Sequence, residues 1–140
     1  MNKFFFALLC VSGLLLVRTV SSADATREAS ARDAAEKWLA LVDADKHDES
    51  WQEMSAPFKK EVSKRKWKST IGEIRKPLGK QASRKLKSAE YSKNLPGAPE
   101  GEYVVAKFDT AFTQKPSASE TVTLVLGQDL IWRVSSYVVK

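Results

Sequence analysis

The single histidine of this 140-residue chain, His47, stands among four carboxylates in "DADKHDESWQEM": Asp43, Asp45, Asp48 and Glu49. An imidazole that titrates near neutrality beside carboxylates is the side-chain set of a general base or a metal ligand. The same segment places Asp at positions 1 and 3 of a calcium loop. It has Asp48 where that loop needs Gly and Met54 where it needs Glu. On a turn between helices such residues are ordinarily solvated, and no metal site is expected. A serine hydrolase needs a base beside its nucleophile, and the sequence offers neither a nucleophile elbow nor a second histidine. Asp109 and Glu120 could meet across a hairpin as the paired carboxylates of a glycoside hydrolase, although acidic strand residues ordinarily face water. The glycines of "LPGAPEGE" lack the Lys-Ser/Thr of a phosphate loop. No catalytic residue is assigned, no cofactor is expected, and the reading leans away from an enzyme.

Two other constellations could bind rather than react. The basic run from Lys59 to Lys87 includes Lys64, Arg65, Lys66, Lys68, Arg75 and Lys76 around Trp67. It could hold an anionic lipid or polymer, with Trp67 inserting or stacking, or be the solvated face of an amphipathic helix. The aromatic residues Trp38, Trp51, Phe108, Trp132 and Tyr137 are pocket candidates if helices and sheet leave an apolar cleft between them; otherwise they fill a core. Strict alternation puts Trp132, Val134 and Ser136 on one face of the last strand and Arg133, Ser135 and Tyr137 on the other. Trp132 and Tyr137 share a face only if a bulge intervenes.

The N-terminus bears on partners. Lys3, the 14-residue apolar run Phe4–Val17, and Ser21 and Ala23 at −3 and −1 together form a secretory leader, with cleavage expected after Ala23. The run is too short to span a bilayer core of ~30 Å. Residues 24–140 are then 117 residues, a length that suits one domain. Cys10 departs with the leader, so disulfides and thiolate chemistry are excluded from the mature chain, which fits a bacterial periplasm. Loss of Lys3 and Arg18 lowers the formal charge of +6 by two. An exported chain does not ordinarily meet nucleic acid, so none is expected as a partner, and no membrane span is expected after cleavage.

The elements that would position these residues follow from periodicity. Ala31, Ala35, Trp38 and Val42 recur at i, i+4, i+7 and i+11, which predicts a helix from near Ala25 to Asp43–Asp45. Asp48 is a candidate cap for a short second helix carrying Trp51 and Met54, and Ser55-Ala56-Pro57 ends it and opens another turn. Ser63 is a candidate cap for a helix with Trp67, Ile71 and Ile74 inward, ended by Pro77 and Gly79. The period then falls to two. "ASRKLKSAEYS", Tyr103–Thr113, "ETVTLVLG" and "LIWRVSSYVV" predict four strands, with loops at "NLPGAPEGE" and "QKPSAS" and a turn at Gly127-Gln128-Asp129. Helices followed by antiparallel strands predict an α+β fold, about three N-terminal helices packed on a curled sheet of about four strands.

In order along the chain, "AAEKWLALVD", "FKKEV", "RKPLGK", "LPGAPEGEYVV", "FDTAF", "ETVTLVL" and "WRVSSYVVK" resemble a family of small exported bacterial domains of unknown function. The likeness runs from about Ala31 to Lys140. The element order also resembles the cone-shaped, nuclear-transport-factor-two-like and cystatin-like folds, in which a Trp-x-Val strand near the C-terminus lines a cavity. Such families often place Asp-Gly directly before this Trp. Here Asp129 is followed by Leu130 and Ile131, which implies a longer or bulged turn. The resemblance implies fold and compartment but carries no activity. The expected role is a periplasmic or secreted binding or accessory module, monomeric or homodimeric, whose partner is a small apolar ligand or an envelope protein. The alternatives are a small isomerase- or hydrolase-type enzyme using a cone-shaped pocket, and an envelope protein using the basic patch.

Overall fold

The computed structural model describes residues 19–140; the apolar run Phe4–Val17 and Cys10 lie outside the described residues. Four α-helices precede four strands, one helix more than the count expected from periodicity: α1 (Ser22–Asp43), α2 (His47–Gln52), α3 (Ala56–Glu61) and α4 (Lys64–Arg75). A 3₁₀ turn (Lys76–Leu78) leads into β1 (Gln81–Ser92), β2 (Tyr103–Phe112), β3 (Lys115–Leu126) and β4 (Trp132–Val139). The strands form one antiparallel meander in the order β1-β2-β3-β4, and the helices pack on one face of it. The fold is α+β with a curled sheet. Register shifts at Gln81/Ser83, Leu86/Ser88, Thr110/Phe112 and Thr123/Leu124 supply local bends and extra twist.

α1 begins at Ser22 and buries Ala31, Ala35, Trp38, Leu39 and Val42. Two of these are alanines, and small side chains let a helix approach a sheet closely. The helix is closed by Ala44 and then Asp45, whose φ of 58° is the left-handed conformation usually given to Gly. The Asp45 amide bonds Val42 O at 3.1 Å and the Lys46 amide bonds Leu41 O at 2.9 Å, the paired contacts of a Schellman ending. Asp48 does not cap α2. That helix starts after Lys46 without a side-chain cap, and Asp48 lies in its first turn, where a carboxylate still favours the helix dipole. Ser55 and Ser63 do cap α3 and α4, accepting from the amides of Phe58 and Lys66 at 3.4 and 3.2 Å.

Between α2 and α3 the chain bonds to the sheet edge. Met54 bridges Val134 in parallel, and the Ser55 amide donates to Val134 O at 2.9 Å. This covers part of an edge strand that would otherwise be open to pairing. The turn expected at "QKPSAS" is only Thr113-Gln114, and β3 already starts at Lys115. Pro116 is tolerated because the backbone bonds between β3 and the end of the chain reach no further towards the start of β3 than Ser119 opposite Lys140. The β3–β4 loop is longer than Gly127–Asp129. It runs to Ile131, closed by Gly127 N to Ile131 O at 3.0 Å.

Candidate functional site

Inside the curl the core is filled. Val104, Ala106 and Phe108 of β2, Val122 and Leu124 of β3, and Trp132 and Val134 of β4 pack against Trp38, Leu39 and Val42 of α1 and against Trp67 and Ile71 of α4. Ser50 serves both buried indoles, accepting from Trp38 Nε1 at its carbonyl (2.9 Å) and from Trp67 Nε1 at Oγ (3.0 Å). Trp67 is therefore a core residue and is not available to insert into a membrane or stack on a polymer.

One end of this core is polar. Glu120 on β3 is fully buried, and its carboxylate accepts from Arg84 Nε (2.7 Å), Thr110 Oγ1 (2.5 Å) and the Tyr137 hydroxyl (2.5 Å). Arg84 on β1 also donates from Nη1 and Nη2 to the two oxygens of Asp43 at 2.7 and 3.0 Å, a bidentate clasp to the end of α1. Arg75 at the end of α4 donates from Nη2 to Asp43 at 2.7 Å, and its guanidinium lies 4.8 Å over the Phe112 ring. Burial alone would raise the Asp43 pKa, but the bonds from Arg84 and Arg75 outweigh it and hold the carboxyl below its ordinary value. Burial likewise opposes the Arg84 charge, and its bonds to Asp43 and Glu120 push its pKa above the usual value. The Tyr137 hydroxyl is pushed far above its ordinary pKa by burial and by the Glu120 charge, so it stays protonated and donates to Glu120.

This network changes the reading of the acidic residues. Asp109 is exposed and pairs with Ser119, whereas Glu120 faces inward opposite Phe108, so the two carboxylates lie on opposite faces of the sheet and do not meet. Glu120 has no access to solvent and already accepts three hydrogen bonds, so it is not a free base. The face of Tyr137 is set by the register shift at Thr123/Leu124. Thr123 pairs with Ser136 and Leu124 with Val134, which leaves Ser135 as the extra residue. Trp132 and Tyr137 therefore share the inner face, and Tyr137 meets Trp38 edge-on at 5.3 Å.

The pocket candidates divide accordingly. Phe108 belongs to the core and Tyr137 and Trp51 pack against it, Trp51 donating to Val62 O at 2.8 Å with Lys59 and Lys64 above its ring. Trp38 and Trp132 alone line a cleft of about 710 Å³ between α1, α2 and the β3–β4 loop. Val134, Leu41 and Ala34 add apolar surface, and Asp33, Lys37, Glu49 and Glu53 form a charged rim. At its mouth stand Leu130, 78% exposed, and Ile131, 52% exposed. Leu130 has a φ of 62°, a left-handed conformation that costs a bulky L-residue of order 1–3 kcal/mol. The loop is held there by Asp129, which accepts from Arg133 at 2.7 and 3.0 Å and from the Ile131 amide at 3.2 Å. Those bonds, the Arg133 bond foremost, lower the Asp129 pKa to about 2.

The basic candidates also separate. Lys64, Arg65, Lys66, Lys68 and Lys76 are exposed, but Arg75 is buried, because Trp67, Ile71 and Arg75 at i, i+4 and i+8 form the inward stripe of α4. Arg75 is therefore not part of an anionic-surface patch. Among the described residues no group of three His, Cys, Asp or Glu side chains could hold a metal ion, and no helix is long and apolar enough to cross a membrane.

A comparison with curated proteins returned no match. Residues 34–137, well over half the chain and reaching from the middle of α1 to Tyr137, match the family described as protein of unknown function DUF4019, and the chain belongs to that family.

Proposed function

We propose that the protein is an exported, non-enzymatic binding module that takes the apolar part of a small ligand into the cleft of Trp38 and Trp132. The observation that carries this reading is the pair Leu130 and Ile131. A strained backbone presents two large apolar side chains to water at the mouth of an aromatic-lined cleft. Neither the strain nor the exposure helps the fold; a ligand that covers the pair removes the exposure, and the strained backbone is what holds Leu130 in place to meet it. The volume falls within the roughly 300–1,000 Å³ typical of small-molecule sites, and the mixed-charge rim suits a ligand with a polar end.

Covering a leucine or isoleucine contributes about 1.5 kcal/mol or more, so both together are worth about 100-fold in affinity. Titration with the neutral apolar dye N-phenyl-1-naphthylamine should give saturable emission sensitised by tryptophan. The L130S/I131S variant changes only exposed residues and should bind about 100-fold more weakly with an unaltered melting curve. No saturation up to the dye's solubility limit, or equal affinity in the variant, would count against the cleft.

Export rests on the leader-like residues before Asp24 and is tested separately. In a bacterial host the full-length chain should be recovered from the periplasm with Asp24 as its first residue by intact mass. Retention in the cytoplasm with Met1 present would remove export from the proposal and leave the cleft untouched.

A further inference from the structure

A second cleft, of about 410 Å³, lies where the ends of α1 and α4 meet the start of β1. It shares no lining residue with the apolar cleft. Arg75 lines it and is only 7% exposed, yet its Nε and Nη1 are buried without a hydrogen-bond partner. A buried donor left unpaired costs about 1–3 kcal/mol, more for a charged group. The Phe112 ring receives the face of the guanidinium but provides no acceptor in its plane. His47 lines the same cleft, and its Nε2 is also buried and unpartnered, the nearest carboxylate, Asp45, being 3.6 Å away. Lys76 and Lys80 complete the wall with exposed ammonium groups.

Two carboxylates and two helix C-termini border this cleft, and they set the strength of the case. Asp43 is held between Arg75 and Arg84, so its charge is already matched. Asp45 has its side chain 86% exposed and is screened by water. The partial negative charge of each helix end is about half a unit and fades within a turn, against the free cations Lys76 and Lys80, the charge of Arg75 being shared with Asp43. We propose that this cleft is a binding site for a small tetrahedral oxyanion of the phosphate class, anchored by Arg75, with Lys76 and Lys80 drawing the anion in. His47 would add a donor at the wall. The oxyanion can come from a free phosphate or from a phospholipid head group, and the buried anchor fits the free ion.

The test uses the side-chain Nε–H resonance of Arg75 in the full mature chain, titrated with inorganic phosphate against sodium chloride at matched ionic strength. The site predicts a saturable shift with phosphate and none with chloride. K76A/K80A, which alters only exposed side chains, should weaken phosphate binding at least fivefold without changing the melting temperature. Followed by calorimetry, since the substitution removes the reporting resonance, R75Q should bind no phosphate; if it does not fold, K76A/K80A remains the deciding variant. Binding to phosphatidylglycerol vesicles that inorganic phosphate displaces would place the oxyanion on a lipid and support the same chemistry. A shift that follows ionic strength alone, one that never saturates, or one unaltered in K76A/K80A would overturn the proposal.

Discussion

Arg84→Met should destabilise the fold by about 3–5 kcal/mol, the cost of removing one partner from a buried charge network. Arg84 is the joint of that network, holding Glu120 through Nε and Asp43 through both Nη groups. Without it Glu120 keeps only the hydroxyls of Thr110 and Tyr137, and a fully buried carboxylate loses its cation. Domains of this size have about 5–15 kcal/mol in total, so the loss is a large fraction of the whole. In urea the midpoint should fall with little change in slope, and the melting temperature should drop by roughly 10–20 °C. Adding Glu120→Gln to Arg84→Met should recover part of the loss, because a neutral amide needs no counter-ion. A loss under 1 kcal/mol for Arg84→Met would mean that the network does not hold the sheet to α1. The wild-type chain carries a related pH dependence. The folded pKa of Asp43 lies below its unfolded value, near 4. Its contribution is therefore complete above about pH 4 and is lost as pH falls through the folded value. Arg84→Met leaves Asp43 only Arg75, so the acid limb of its stability curve should be shallower than that of wild type.

Periodicity and caps made much of this architecture legible, and the polar network shows where they stop. The stripe Ala31-Ala35-Trp38-Val42, the Ser63 cap, the break at Ser55-Ala56-Pro57 and the fall in period after Gly79 each have a local cause, and each corresponds to an observed element. Glu120 is in phase with Val122 and Leu124, and Arg84 with Leu86, so alternation placed both inward. Their charge argued for the opposite face. The conflict is resolved by a partner 36 residues away, which no local pattern displays. The bulge at Ser135 is similar. It moves Tyr137 onto the face of Trp132, and its driving contacts, Glu120 and Trp38, are distant in sequence. The apolar cleft was half legible. Trp38 and Trp132 stand out as aromatic residues, whereas the sequence around Leu130 marks only a longer turn. The charge of Arg75 places it with the surface lysines, but its i, i+4, i+8 spacing from Trp67 marks it as inward.

Phe108→Ala is the second large effect, and it decides whether the curl of the sheet is a core or a pocket. Phe108 is buried opposite Glu120 and Leu86, at the centre of the inner face, where a ligand cavity would otherwise lie. If the interior is close-packed, truncation removes both the transfer energy of the ring and the contacts of its neighbours, for a total of about 3–5 kcal/mol. The resulting void would be lined by apolar groups on most sides and should stay dry, so it should admit benzene or xenon. Denaturant unfolding should show the loss, and benzene at saturation should return part of it in the variant while leaving wild type unchanged. Wild type that is itself stabilised by benzene, together with a loss below about 1 kcal/mol in the variant, would mean that the curl is already open. An open interior would return Tyr137 and Glu120 to consideration as pocket residues and would make the small-enzyme alternative the stronger one. With the interior closed, the recognition proposed above falls outside the curl, at clefts whose walls combine a rigid buried residue with exposed side chains on short loops. Trp132 beside Leu130 and Arg75 beside Lys80 are such pairs. The filled core then has the role of holding those buried partners in place.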